Sequence, residues 1–342
     1  MIELADYEYL ERLGEPGFFG EAWLARNRLS GRMVAVKHID GGKIELSLEA
    51  WSAEAEAMAA CEHENLVTIH HAEVTDDGPA LVLEYLPDGS AVSRWGGTPA
   101  PIGEAMAMAI EVCWGLHHLH IRDLTHRDIK PGNILFRGDT AVLADFGLAV
   151  STDTPVSTTY KPHTPPEVRA GGHWTPVADV FALGVTLYRL ICGDAFCEYD
   201  SPEILDRIAR GWWPDLTLWP VHVHKRLRTV LRAAMNPDPN KRPQSAAALR
   251  NRLEMARPAV SFGWDGVDRW AGASEGAVWW IRLARTDDLV HIDVERDLGR
   301  GLRRVSVADA ADMSEVAAKA RLVSLFEQLA ISGGVAKGAR AS

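Results

Sequence analysis

HRDIKPGNIL, running from His126 to Leu135, is the stretch on which the reading of this 342-residue chain turns. It sets a carboxylate (Asp128), an ammonium (Lys130) and a carboxamide (Asn133) close together. Pro131 and Gly132 interrupt any regular element, so the three groups are expected on a loop. Twelve residues past Asn133, the run AVLADFGLA carries a β-like segment into a turn at Asp145, Phe146 and Gly147. A second carboxylate is thereby placed at the end of a strand.

Working outward, residues 1 to about 86 alternate short β-like runs with one Ala/Glu-rich helical pattern: VAVKHI at 34–39, EAWSAEAEAMAAC, LVTIHHAEV and ALVLEYL. This predicts a small sheet with a helix laid on it. Residues 87–257 read mostly as helices between Pro- and Gly-containing loops, beginning with a near-helical apolar spacing from Ile102 to His120. The texture changes at Pro258. Four tryptophans, strand-like runs AVWWIRLA, LVHIDV and LRRVSV, and a helical pattern from Ala308 to Ile331 predict a small α+β domain over 258–332. Residues 333–342 are expected to be a disordered tail.

In this order, HRDIKPGN, DFG and VAVK resemble the protein kinases, specifically the eukaryotic-like (Hanks-type) bacterial Ser/Thr kinases; Lys followed by Pro after the HRD aspartate is the Ser/Thr form. The resemblance implies a bilobal α+β fold, with an N-lobe over about 1–86 and a C-lobe over about 87–257, that moves the γ-phosphoryl group of ATP to a protein hydroxyl. Such transfer needs positioning and charge stabilisation more than covalent help. Asp128 would accept or orient the hydroxyl proton and Lys130 would neutralise the transferring phosphoryl. Asn133 and Asp145 would hold Mg²⁺ or Mn²⁺, hard ions that favour oxygen ligands. Lys37, at the end of a β-branched run, would point a charge at the α- and β-phosphates. Its partner would be Glu54, with Glu49 and Glu56 as rivals.

The nucleotide cover would be RLGEPGFFGEAWLA, with Leu13, Gly14, Gly17, Gly20 and Ala22. Gly14 and Gly17 lie one residue further apart than the kinase glycine loop has them, and Ala22 replaces its valine. By itself such a segment is more often an ordinary hairpin. Ala22 and Ala35 would cover the adenine and Leu135 would underlie it, with Leu83 as gatekeeper and the Glu84–Leu86 backbone offering hydrogen bonds; core packing explains each side chain equally well. Phe146 would pack under the helix that carries Glu54. Glu167 of Pro-Pro-Glu would pair with Arg242, and Asp179 would head a buried helix. These last features separate protein kinases from small-molecule kinases. Tyr160 and His163 depart from the usual docking segment. Arg127 would meet a phosphate on an activation segment that offers Ser151, Thr152, Thr154, Ser157, Thr158 and Thr159. The alternative is a pseudokinase scaffold that binds ATP or a partner without transfer.

The composition sets limits. A net charge of −11 opposes general attraction to nucleic acid. No apolar stretch is long enough to span a bilayer and the N-terminus is acidic, so neither membrane anchor nor export signal is expected. Cys61, Cys113, Cys192 and Cys197 lack metal or redox spacing, and a cytoplasmic location is the default. Arginine outnumbers lysine 28 to 8, a bias associated with GC-rich bacterial genomes. LHHLH (116–120) and HVH (222–224) lack a ligand set and are read as structural. Trp212, Trp213 and Trp219 should fill the helical lobe. The tail tryptophans should form core or a protein interface, through which a second copy or another partner would be held.

Overall fold

The computed structural model describes residues 4–14, 20–39, 55–56, 59–75, 78–145, 161–193, 207, 210, 219–286, 289–305 and 310–334. The N-lobe is an antiparallel sheet of β1 (Tyr7–Arg12), β2 (Gly20–Asn27), β3 (Met33–Ile39), β4 (Ile69–Thr75) and β5 (Gly78–Glu84), in the order β1-β2-β3-β5-β4. Period-2 alternation sorts its side chains. Tyr7, Ala25, Val34, Val36, Ala80 and Val82 close over Leu4 on one face. Ile39, Leu81 and Leu83 point the other way and join the main core.

The helical lobe begins with α1 (Ala91–Trp95) and α2 (Ile102–His120), the latter spanning the expected residues. A loop and a 3₁₀ turn at Pro131–Asn133 lead into the hairpin of β6 (Ile134–Arg137) and β7 (Thr140–Leu143). Then follow α3 (Pro166–Arg169), α4 (Pro176–Cys192), α5 (Lys225–Ala234) and α6 (Ala246–Met255). Pro176 stands in the first turn of α4, where its missing N–H costs no helical bond. Almost every residue of α4 is buried, which makes it the axis of the lobe. Trp219 fills this core, edge-on to Tyr188 at 5.1 Å; Trp212 and Trp213 lie outside the described residues.

The C-terminal region forms an antiparallel six-stranded sheet from β8 (Ser261–Trp264), β9 (Arg269–Ser274), β10 (Ala277–Thr286), β11 (Leu289–Asp297), β12 (Leu302–Arg304) and β13 (Ala310–Met313). One face packs on α7 (Glu315–Ser332), burying Phe262, Trp270, Trp279, Ile292 and Phe326. The helix starts later than the apolar pattern suggests, because Ala310–Met313 pair with β11 and the Ser314 hydroxyl accepts the Ala317 N–H to open the helix. β8 and β9 went unnoticed in the sequence because SFGW and RWAGAS are rich in Gly, Ala and Trp rather than β-branched residues. Of the expected tail, residues 335–342 are outside the described set.

This domain sits directly on the helical lobe. Ser261 Oγ accepts the Gly103 N–H at 2.7 Å, in the first turn of α2, whose own N-cap, Pro101, offers no side-chain bond. Glu327 of α7 accepts the Lys225 N–H at the start of α5, at 2.5 Å. Trp270 Nε1 donates to buried His222 at 3.2 Å. α2, which has no side-chain cap of its own, and α5, already capped by His224, thus each receive an acceptor from another domain.

Candidate active site

The loop between α2 and the 3₁₀ turn is organised by a carboxylate that it does not contain. Asp179, in the first turn of α4 and fully buried, accepts the backbone N–H groups of His126 (2.9 Å) and Arg127 (3.0 Å). It also accepts Trp174 Nε1 (2.8 Å) and His120 Nε2 (2.9 Å). Burial opposes its charge, but the contacts with His120 and His126 together outweigh burial and hold the carboxyl below the ordinary range. Arg127 adopts φ 70°, a conformation disfavoured for a side-chain-bearing residue. The bond from its own N–H to Asp179 secures it there, and its Nε donates to Thr125 Oγ1.

His126 is neutral and fixed in one tautomer. Its Nδ1 accepts the Asp128 N–H (3.3 Å), so Nε2 carries the hydrogen donated to the Ala144 carbonyl (2.9 Å). Burial holds its pKa down. The ring therefore ties the Asp128 loop to the residue before Asp145.

Asp128 receives Lys130 Nζ and Asn133 Nδ2 on the same oxygen, Oδ2, at 2.7 and 2.8 Å. Asn133 Nδ2 also donates to the Asp128 carbonyl at 2.8 Å. With its amide hydrogens engaged, Asn133 has its carbonyl oxygen as the ligating atom. Asp128 keeps Oδ1 as an acceptor, on a side chain about one-tenth exposed.

Across the cleft, Lys37 of β3 is ion-paired with Asp145. Burial works against the Asp145 charge, and the Lys37 ammonium overcomes it, leaving the carboxyl below its usual range. Asp145 also has a left-handed backbone, φ 69°. Ala22 stands directly opposite Lys37, and Ala35 opposite Leu83, on one face of the sheet. Two small residues there leave room beside the lysine. Gly20 is required for a reason unrelated to phosphate: a Cβ would lie 1.8 Å from the His38 carbonyl oxygen. Gly14 has φ 71°, and the Leu13 N–H closes the loop base onto the Ala22 carbonyl.

Leu83 and Leu86 are buried, and Ala35 and Leu135 pack against the same core. The Glu84 N–H is taken by the Thr68 carbonyl, while its carboxylate accepts the Thr68 N–H and Arg137 Nη2 at 2.9 and 2.7 Å. Glu84 thus straps the end of β5 to β6. Glu167 and Arg242 form a two-pronged pair at 2.6 and 2.7 Å, the arginine side chain wholly buried and also donating to the Asn236, Pro237 and Val177 carbonyls. Gly17, Glu49, Glu54, Phe146, Ser151, Thr152, Thr154, Ser157, Thr158, Thr159 and Tyr160 lie outside the described residues. His120 and Trp174 were missed as partners of Asp179; LHHLH stood out only as a histidine cluster, and nothing near Trp174 marks it. Among the described residues, no group of three or more His, Cys, Asp or Glu side chains could hold a metal.

The donors present suit a divalent ion shared with phosphates: one carboxylate, Asp145, and one amide oxygen, Asn133, leave most of the shell to other oxygens. A general acceptor, two lysines and such a pair of oxygen donors define a phosphotransferase-type site on a two-lobed scaffold. The protein kinase domain family matches residues 7–253, and the chain belongs to that family. It is 30% identical over 271 residues to serine/threonine-protein kinase Pkn1 of Myxococcus xanthus, covering 75% of this chain and 39% of Pkn1. A probable serine/threonine-protein kinase of Dictyostelium discoideum is 27% identical over 74% of this chain and 52% of its own length. The chain therefore spans about half or less of these relatives. In fold it is similar to Rad53 residues 1–466, solved with AMP-PNP, at a TM-score of 0.62 and 21% identity, over 72% of this chain and 64% of that one.

Proposed function

We infer that the protein is an ATP-dependent Ser/Thr protein kinase. The observation that carries this is the Asp128 carboxylate, held by Lys130 and Asn133 on a loop anchored to Asp179, with Asp145 beside that loop and Lys37 reaching Asp145 from the N-lobe sheet. In this reading a substrate hydroxyl oxygen bonds to the γ-phosphorus of ATP as the bond to the bridging β,γ-oxygen breaks. The hydroxyl proton passes to Asp128 Oδ1, and ADP leaves with the bridging electron pair. Lys130 balances the charge of the transferring group. Lys37 exchanges its pairing with Asp145 for the α- and β-phosphates, leaving that carboxylate for metal. Asn133 and Asp145 would hold Mg²⁺ or Mn²⁺, which supplies charge neutralisation on the phosphate oxygens. Arg127 would receive an activation-segment phosphate, and Ala22, Ala35, Leu83, Leu86 and Leu135 would enclose the adenine.

Incubation with labelled ATP, Mg²⁺ and a generic basic protein is expected to give transfer to serine or threonine, reduced at least 10³-fold in Asp128→Asn. Tight Mg·ATP binding without transfer by the unaltered chain would instead establish the scaffold reading. Among the described residues, no helix is long and apolar enough to cross a membrane. A cytoplasmic enzyme that uses neither membrane nor nucleic acid is consistent with that and with the acidic balance.

A further inference from the structure

The outer face of the C-terminal sheet has an unusual profile where it meets the helical lobe. One row of cross-strand neighbours runs Glu295, Trp280, Ala271, Gly263. The large Trp280, 39% exposed, thus stands beside two of the smallest residues. The result is a depression floored by Ala271 and Gly263, with Trp280 and Trp264 among its walls and Pro101 closing the lobe side. It is open to one side and its volume is about 720 Å³, within the range of ligand-binding clefts.

The charges around it are unevenly committed. Asp293 is spent on Arg282 (2.8 Å) and Arg304 (2.9 Å), with His291 at 3.3 Å. Asp265 Oδ1 is spent on the backbone N–H groups of Val267 and Arg269. Among the described residues, the Glu295 carboxylate and the Arg269 guanidinium have no hydrogen bond or ion pair, and both line the cavity. They are two strands apart and offset by one step of the alternation, roughly 12 Å between backbones. That spacing places the two charged residues on different strands. It suits a polyproline II segment, in which residues i and i+3 project from the same side about 9 Å apart. Walls of tryptophan and proline are the surface such segments use.

We propose that this groove binds a proline-rich protein segment carrying Arg or Lys at one position and Asp or Glu three residues later. The basic side chain lies over the Trp280 face and pairs with Glu295, and the acidic one pairs with Arg269. The inference concerns binding alone and does not depend on phosphoryl transfer.

The blocked peptide acetyl-PRPPEP-amide tests it against the full-length chain by calorimetry and tryptophan fluorescence, with acetyl-PQPPQP-amide as the uncharged counterpart. The charged peptide is expected to bind at least tenfold more tightly than its counterpart. Glu295→Gln and Arg269→Gln should each erase most of that preference, and Trp280→Ala should weaken both peptides about tenfold or more. Circular dichroism checks that each variant remains folded; Glu295→Gln keeps side-chain size, Arg269→Gln is a polar truncation, and both guard against a folding defect in Trp280→Ala. No binding at millimolar peptide, equal binding of the two peptides, or affinity unmoved in Glu295→Gln each overturns the proposal. ATP-transfer assays on the same samples report separately on the kinase reading.

Discussion

The catalytic loop and the joint between the helical lobe and the C-terminal sheet solve the same problem, orphaned backbone donors, by opposite means. At the loop, two backbone N–H groups, an indole and an imidazole converge on one wholly buried carboxylate, Asp179. At the joint, three separate bonds do the work, from Gly103 to Ser261, Lys225 to Glu327 and Trp270 to His222, with aromatic packing between them. A hub of charge concentrates positioning at one residue, whereas a distributed joint tolerates single losses. This division matches the demands on each: the loop must present Asp128 in one geometry, while the joint need only keep two surfaces together.

The sharpest way to break the contrast is at the hub. Asp179→Ala leaves four donors without their common acceptor, each an unmet buried polar group. The expected cost is about 4 kcal/mol by urea unfolding, in the range found when one partner of a buried charged network is removed. Relaxation of Arg127 from its left-handed conformation should accompany it, so phosphoryl transfer should fall even in the fraction that remains folded. A variant with stability lowered by less than about 1 kcal/mol would mean that the loop is held elsewhere.

Acid distinguishes the regions by another route. Burial pushes His222 down to about 3 and His224 down to about 4, both below the ordinary 6.5. The unfolded chain therefore binds protons first as pH falls from about 6.5, and stability is lost progressively until the folded values are reached. The slope is at most about 1.4 kcal/mol per pH unit for each ring. Protonating His222 also destroys the acceptor that Trp270 uses. The depressed Asp179 carboxyl affects the pH dependence only further into acid: its stabilisation is fully present above its unfolded value near 3.8 and is lost as pH falls through its folded value. His126 adds a neutral buried ring on the lobe side. Replacing His222 with Asn, which accepts but does not titrate, should flatten the dependence between pH 6 and 4 in urea titrations. An unchanged slope would remove His222 from the account.

What the sequence revealed follows the same divide. Chemistry concentrated in contiguous residues could be read directly: the Asp128 loop, the strand bearing Lys37, and α2 from its apolar spacing; the Glu167 and Arg242 pair, 75 positions apart, was legible only because each residue sits in a motif of its own. Contacts made between distant segments could not. His120 donates to a residue 59 positions away, and nothing in LHHLH distinguishes it from its neighbours. Gly20 reads in the sequence as part of a phosphate cover, and its backbone is also pressed against β3, a constraint that only strand register exposes. β8 and β9 escaped because Gly263 and Ala271 line a surface groove and Gly272 makes way for the Phe262 ring, so neither strand carries a β-branched run.

The smallest expected effect tests the joint at its weakest-looking point. Proline at the N-cap of α2 cannot supply a side-chain acceptor, so the first turn relies on Ser261 from another domain. Ser261→Ala removes that acceptor, and an N-terminal capping bond is typically worth about 1 kcal/mol. The cavity created is small, but a Cβ on Gly103 would come within 2.5 Å of the same hydroxyl and 2.8 Å of the Ser261 Cβ, which Ser261→Ala keeps, so close approach and capping are coupled in part. Gly103→Ala should therefore be worse in the presence of Ser261 than in its absence. A double-mutant cycle read by thermal unfolding measures this coupling directly. If the two substitutions simply add, the helix is capped by solvent in solution, and the joint is looser than its hydrogen bonds imply.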